Sequence, residues 1–129
     1  MTGEVVPMIP AVNIDAALDA LTEHWSPKVI ARVNDQYVKV AKLKGEFVWH
    51  RHDDEDELFQ VIRGRLRIQF EDGGETLLSP GELCVIPRGV MHNPVADEEC
   101  CILLIETVTT KHTGDVETPI TRSIAEQLA

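Results

Sequence analysis

The stretch Gly45-Glu-Phe-Val-Trp-His50-Arg-His52-Asp-Asp-Glu-Asp-Glu57-Leu-Phe-Gln-Val-Ile-Arg-Gly64 decides how the rest of the chain is read. Two histidines stand two positions apart, and a carboxylate follows. Side chains at i and i+2 of a strand share a face, so a strand over Phe47–His52 presents His50 and His52 side by side. The acidic run Asp53–Asp56 then turns the chain, and Glu57 opens the apolar segment Leu58–Ile62. As an antiparallel neighbour, that segment brings Glu57 beside both imidazoles. Two imidazoles and a carboxylate form a nitrogen/oxygen site suited to one divalent transition metal (Fe, Mn, Ni, Co or Zn).

Around this run the chain reads as short strands punctuated by Gly, Pro, Asn and Asp. Val29–Val33, Tyr37–Leu43, Phe47–His52, Leu58–Arg63, Arg65–Phe70, Thr76–Leu78, Leu83–Ile86, the surroundings of His92 and Cys100–Val108 form the set. Arg65–Phe70 alternates strictly, which predicts one buried face and one wet face. Asp72-Gly73-Gly74 is a hairpin turn. Strands at such regular spacing predict an all-β sandwich or antiparallel barrel. Before them, a proline-punctuated arm over residues 1–12 leads to Asn13, which caps a predicted helix over Ile14–Trp25 ended by Ser26-Pro27. Residues 1–28 are thus an arm with a short helix, 29–108 the barrel, and 109–129 a tail with a short helix over Ser123–Leu128. The tail either covers an end of the barrel, with His112 reaching its mouth, or packs on the outside; the outside is the default.

The 129 residues suffice for one domain with a real core. A formal net charge of −10 argues against nucleic acid and anionic membrane as partners. No basic start followed by an apolar core marks a signal peptide, and no apolar run spans a bilayer. The three cysteines, Cys84, Cys100 and Cys101, form no disulfide framework, so a cytoplasmic location is expected with the thiols as small hydrophobes.

A second punctuated stretch, Gly81-Glu-Leu-Cys-Val-Ile-Pro87-Arg-Gly89-Val-Met-His92-Asn-Pro94-Val-Ala96, delivers a third histidine after a forced turn. Together the two stretches resemble the motifs of the cupin superfamily. His50, His52, Glu57 and Gly64 match the first motif, with Gly45 one residue closer to His50 than usual. Gly81, Pro87, Gly89 and His92 match the second, with Ala96 where asparagine is frequent. The resemblance implies a small antiparallel cupin barrel of double-stranded β-helix (jelly-roll) type. It also implies a metal held by His50, His52, Glu57 and His92, and a homodimer.

Strand parity places Glu46 on the face of His50 and His52, the best additional candidate for acid/base catalysis. Phe59 and Val61 share the face of Glu57, and Tyr37 is a possible hydrogen-bond donor into the barrel. Trp49 and Arg51 point away, and an exposed tryptophan fits a subunit contact. Inward lysine and arginine look scarce, which disfavours phosphorylated sugars. The expected function is a metal-dependent enzyme of isomerase, lyase or hydrolase type acting on a small polar or partly apolar molecule. An Fe(II)-dependent dioxygenase and a non-enzymatic cupin that binds a small ligand or metal are the alternatives.

Overall fold

A computed structural model describes residues 8–129. The first seven residues of the expected arm lie outside the described residues. The elements are α1 (Ile14–Asp19), β1 (Lys28–Val33), β2 (Gln36–Glu46), β3 (Glu57–Arg63), β4 (Leu66–Phe70), β5 (Glu75–Leu78), β6 (Leu83–Ile86), β7 (His92–Thr107) and α2 (Ile124–Leu128). All strand pairs are antiparallel, in the order β1-β2-β7-β3-β6, with β4 joined to β7 and β5 to β4. The expected small barrel is the fold.

β7 is the axis. Where the sequence predicts two separate segments around His92 and Cys100, one 16-residue strand runs through both. Its start pairs with β4, through Phe70↔His92 to Arg67↔Val95. Its end lies between β2 and β3, with Tyr37 and Glu57 both opposite Glu106. One strand thus carries His92 at one end and Glu106 at the other, both fully buried.

Alternation in β2 and β3 builds the interior. Ala41 and Leu43 from β2 meet Phe59 and Val61 from β3, Leu66 and Ile68 from β4, and Ile102 and Leu104 from β7. On the other face, Val40 and Cys101 pack with Leu18 of α1 as a second cluster, joined by Ile14, Ala17 and Leu21. The apolar stripe of the predicted helix is therefore used, and Asn13 does cap it, accepting from the Ala16 N–H.

That helix is shorter than predicted, ending at Asp19 rather than Trp25. The Trp25 N–H bonds the Lys42 carbonyl at 2.8 Å, and its ring stacks on Phe47 with centroids 4.4 Å apart. Burying a tryptophan in the barrel outweighs continuing a helix of ordinary propensity. Consequently His24 lies outside any helix, bonded to Glu99 at 2.8 Å. Phe47–His52 is likewise not a strand; only His50 forms a bridge, to His92.

The tail does not take its default place on the outside. His112 lines the barrel cavity, and Gln127 of α2 is buried against Lys39. Ser123 caps α2 in a reciprocal capping box with Glu126. Among the described residues, no helix is long and apolar enough to cross a membrane.

Candidate metal centre

The two motif stretches are stitched together by backbone hydrogen bonds. His50 and His92 exchange N–H to carbonyl bonds of 3.0 and 2.9 Å, and the Gly89 N–H donates to the His52 carbonyl at 2.7 Å. The acidic run supports this seam: the Arg88 N–H donates to Asp56 at 2.9 Å, and Thr109 donates to Glu55 at 2.6 Å. Asp53 pairs with Arg51 at 3.0 Å. Gly64, at the end of the first motif, has φ +83°, and a Cβ there would stand 2.6 Å from the Glu99 carbonyl oxygen. Only glycine lets β3 turn away so close to β7.

The result is convergence of His50, His52, Glu57 and His92, all buried, each with a ligand atom within 4.8 Å of the others. The Nε2 atoms of His52 and His92 stand 3.4 and 3.5 Å from the Glu57 carboxylate. Those distances are long for hydrogen bonds. The three Nε2 atoms and Glu57 Oε1 have no hydrogen-bond partner among the described residues. Each orphaned buried polar group costs about 1–3 kcal/mol. A cation at the centre removes that cost for all four.

Tautomers are set for the same purpose. His50 Nδ1 lies 2.9 Å from the Val48 carbonyl, and His92 Nδ1 lies 2.9 Å from the Val90 carbonyl. A carbonyl only accepts, so each Nδ1 carries the proton and each Nε2 offers its lone pair. Metal-bound histidines are oriented in this way. Burial, then neighbouring His92, lowers the His50 pKa to about 4, which keeps that ring neutral. Burial lowers the His52 pKa as well, but Glu57 more than offsets it and the net shift is upward. Burial alone would raise Glu57; the neighbouring Glu106 carboxyl and the His52 and His92 rings hold it well below its ordinary value. These donors fit a divalent transition metal.

Behind Glu57 lies a buried polar group that sequence reading missed. Lys39 Nζ pairs with Glu106 at 2.7 Å and donates to Gln127. Lys39 is fully buried, so an inward lysine is present after all. Burial, then Glu57, raises Glu106 well above the usual carboxyl range. The alternation Tyr37, Lys39, Ala41, Leu43 was the available signal, since all four are buried and the last two line the cavity.

Glu46 does not join the cluster. It is exposed at the end of β2, where its carboxylate accepts from Asn93 at 3.0 Å. Strand parity failed because the chain leaves the strand geometry after Glu46. Trp49 and Arg51 do point outward, with Trp49 42% exposed. Tyr37 is buried, with Lys39 Nζ 5.9 Å from its ring centre.

Next to the cluster is a cavity of about 30 Å³, lined by His50, Glu57 and His112 and by an apolar wall that includes Trp25, Phe47 and Phe59. A volume of roughly this size admits one or two waters.

A cupin domain profile matches residues 36–106. A cupin-2 domain containing protein from Shewanella frigidimarina is 48% identical, with a TM-score of 0.72 over 74% of this chain and 93% of its own. Protein NMB1881 from Neisseria meningitidis is 32% identical, with a TM-score of 0.70 over 76% of this chain and 99% of its own. The uncharacterized protein YdbB of Bacillus subtilis is 38% identical over 80 residues, 62% of this chain and 71% of its own length.

Proposed function

The chain belongs to the cupin domain family, and from that premise we propose that it is a metal-dependent enzyme acting on a small, oxygen-bearing, partly apolar molecule. The observation that carries this reading is the convergence of three unpartnered Nε2 atoms and a carboxylate beside a cavity. A divalent metal held by His50, His52, Glu57 and His92 would supply Lewis-acid chemistry, as isomerase, lyase or hydrolase reactions require.

This chain's own residues supply the rest. The Val48 and Val90 carbonyls hold two imidazoles in ligating orientation. Trp25, Phe47, Leu43 and Phe59 exclude bulk water and favour an apolar portion of the substrate. Lys39 is committed to Glu106 and Gln127, so among the described residues phosphorylated substrates still find no free cation in the interior. Glu46, exposed and bonded to Asn93, has no part in this reading.

The test is elemental analysis of untagged protein beside His92→Ala. Wild-type protein is expected to hold about one transition metal per chain, and the variant to lose at least tenfold in metal affinity. Equal metal content in both would refute the site.

A second reading, a non-enzymatic cupin that holds a metal or a very small ligand, is favoured by one observation: the cavity admits little more than water as it stands. Turnover of any molecule by the metal-loaded protein decides between the two. The reading also takes the protein as a homodimer, supported by exposed Leu83 and Val85 on β6, which among the described residues pairs only with β3.

A further inference from the structure

We propose that His112 is a ligand-contacting residue of the cavity, donating a hydrogen bond through Nδ1 to a carbonyl or carboxylate oxygen of the small molecule bound there. The proposal rests on the metal-site reading above. It adds a residue from the tail, beyond the matched domain at 36–106.

The tail is built to hold this ring in place. Gly114 has φ +60°, and a Cβ there would collide with the carbonyl oxygen of Arg51, the residue between His50 and His52. The turn that carries His112 is therefore seated directly on the metal-binding loop. The Gly114 N–H bonds the Lys111 carbonyl at 2.9 Å, and the Thr113 and Thr121 hydroxyls meet at 3.0 Å. The His112 ring lies 5.8 Å from Phe47, centre to centre, and is buried in the cavity wall.

Its tautomer is forced and opposite in use to those of the cluster. The Arg122 backbone N–H donates to His112 Nε2 at 2.6 Å. Nε2 is then an acceptor, so the proton sits on Nδ1. Nε2 is thereby withdrawn from metal binding, and His112 is not one of the four residues whose donor atoms converge. Nδ1–H makes no hydrogen bond among the described residues.

Among the described residues, the rest of the wall offers no rival donor. The Trp25 indole N–H is bonded to the Lys44 carbonyl at 2.9 Å, and Lys39 is engaged by Glu106 and Gln127. The Nδ1 protons of His50 and His92 are taken by carbonyls. Among the described residues, His112 is thus the free donor of a wall that also holds His50 and Glu57. An oxygen with two lone pairs satisfies both sides, which selects carbonyl and carboxylate ligands.

The test uses full-length protein loaded with Co(II), whose visible spectrum reports ligands, and acetate as the probe. Wild type, H112A and H112N are expected to bind Co(II) with equal affinity. H112A should bind acetate about tenfold more weakly, the loss of one hydrogen bond in a dry site. H112N keeps an N–H close to the position of Nδ1 and should recover acetate affinity to within about threefold of wild type. If wild type takes up no Co(II), the metal-site reading itself falls; if Co(II) binds and acetate evokes no response in wild type, the role of His112 falls. If H112A keeps the full response, only the role of His112 falls. Imidazole ¹⁵N spectra of the wild-type zinc form provide a measurement without substitution. Protonated Nδ1 on His112, shifting with acetate, is expected; protonated Nε2, or no shift, would overturn the proposal.

Discussion

Four buried donors face one another at the cluster, and the protonation of their neighbours determines how the metal-free protein responds to acid. His50 and His112 are both pushed down to about 4, in each case by burial first. An unfolded chain titrates its histidines near 6.5. Between those values the unfolded state binds more protons, so stability falls as pH drops from about 6.5 toward 4. Glu106, raised well above its usual range, opposes part of that fall. Above 6.5 the sign reverses: His52 is raised, so its contribution is complete at lower pH and fades as pH rises. Thermal melts of metal-free protein from pH 4 to 9 should therefore peak near pH 6.5. A stability that climbs steadily to pH 9 would contradict these assignments.

At the scale of elements, the turn at Lys111–Gly114 couples the tail to the metal-binding loop. Gly114→Ala places a β-carbon against the Arg51 carbonyl and holds alanine at a positive φ. Both effects are unfavourable, and the expected loss is about 3 kcal/mol in denaturant unfolding. Because Arg51 sits between two candidate ligands, metal affinity should fall with it. A variant as stable as wild type would show that the tail is not seated on that loop. Helix α1 has a different task. Its Leu18 is fully buried against Val40 and Cys101, on the face of the sheet turned away from the metal. It stabilises the barrel without touching the site.

For the whole molecule, β7 sets the geometry: the strand that delivers His92 also carries Glu106 beneath Glu57, so metal site and buried polar group form one unit. The outer surface is less complete. Leu83 and Val85 are 54% and 51% exposed on β6, and Trp49 lies 42% exposed elsewhere. Large apolar side chains left in water on an edge strand are expected to be covered. Sedimentation should find a dimer for wild type and a monomer for the double variant L83K/V85K. A wild-type monomer at micromolar concentration would refute the assignment.

How much of this was legible depended on distance along the chain. His50, His52, Glu57 and His92, together with the glycines and prolines that turn the chain between them, announce a candidate cation site in an antiparallel barrel. Alternation and turn chemistry are local properties that a sequence displays directly. The bounds of α1 were not legible, because the gain from placing Trp25 against Phe47 is a long-range packing term. Nor was the departure of 47–52 from strand geometry, which hydrogen bonds between His50 and His92 decide. Lys39, Glu106 and Gln127 come from three distant elements, and only the closed barrel makes them one buried group. His112 illustrates the division most clearly. The chain shows a histidine in a polar tail; the fold seats its turn on Arg51, fixes its tautomer through Arg122 and turns it toward the cavity.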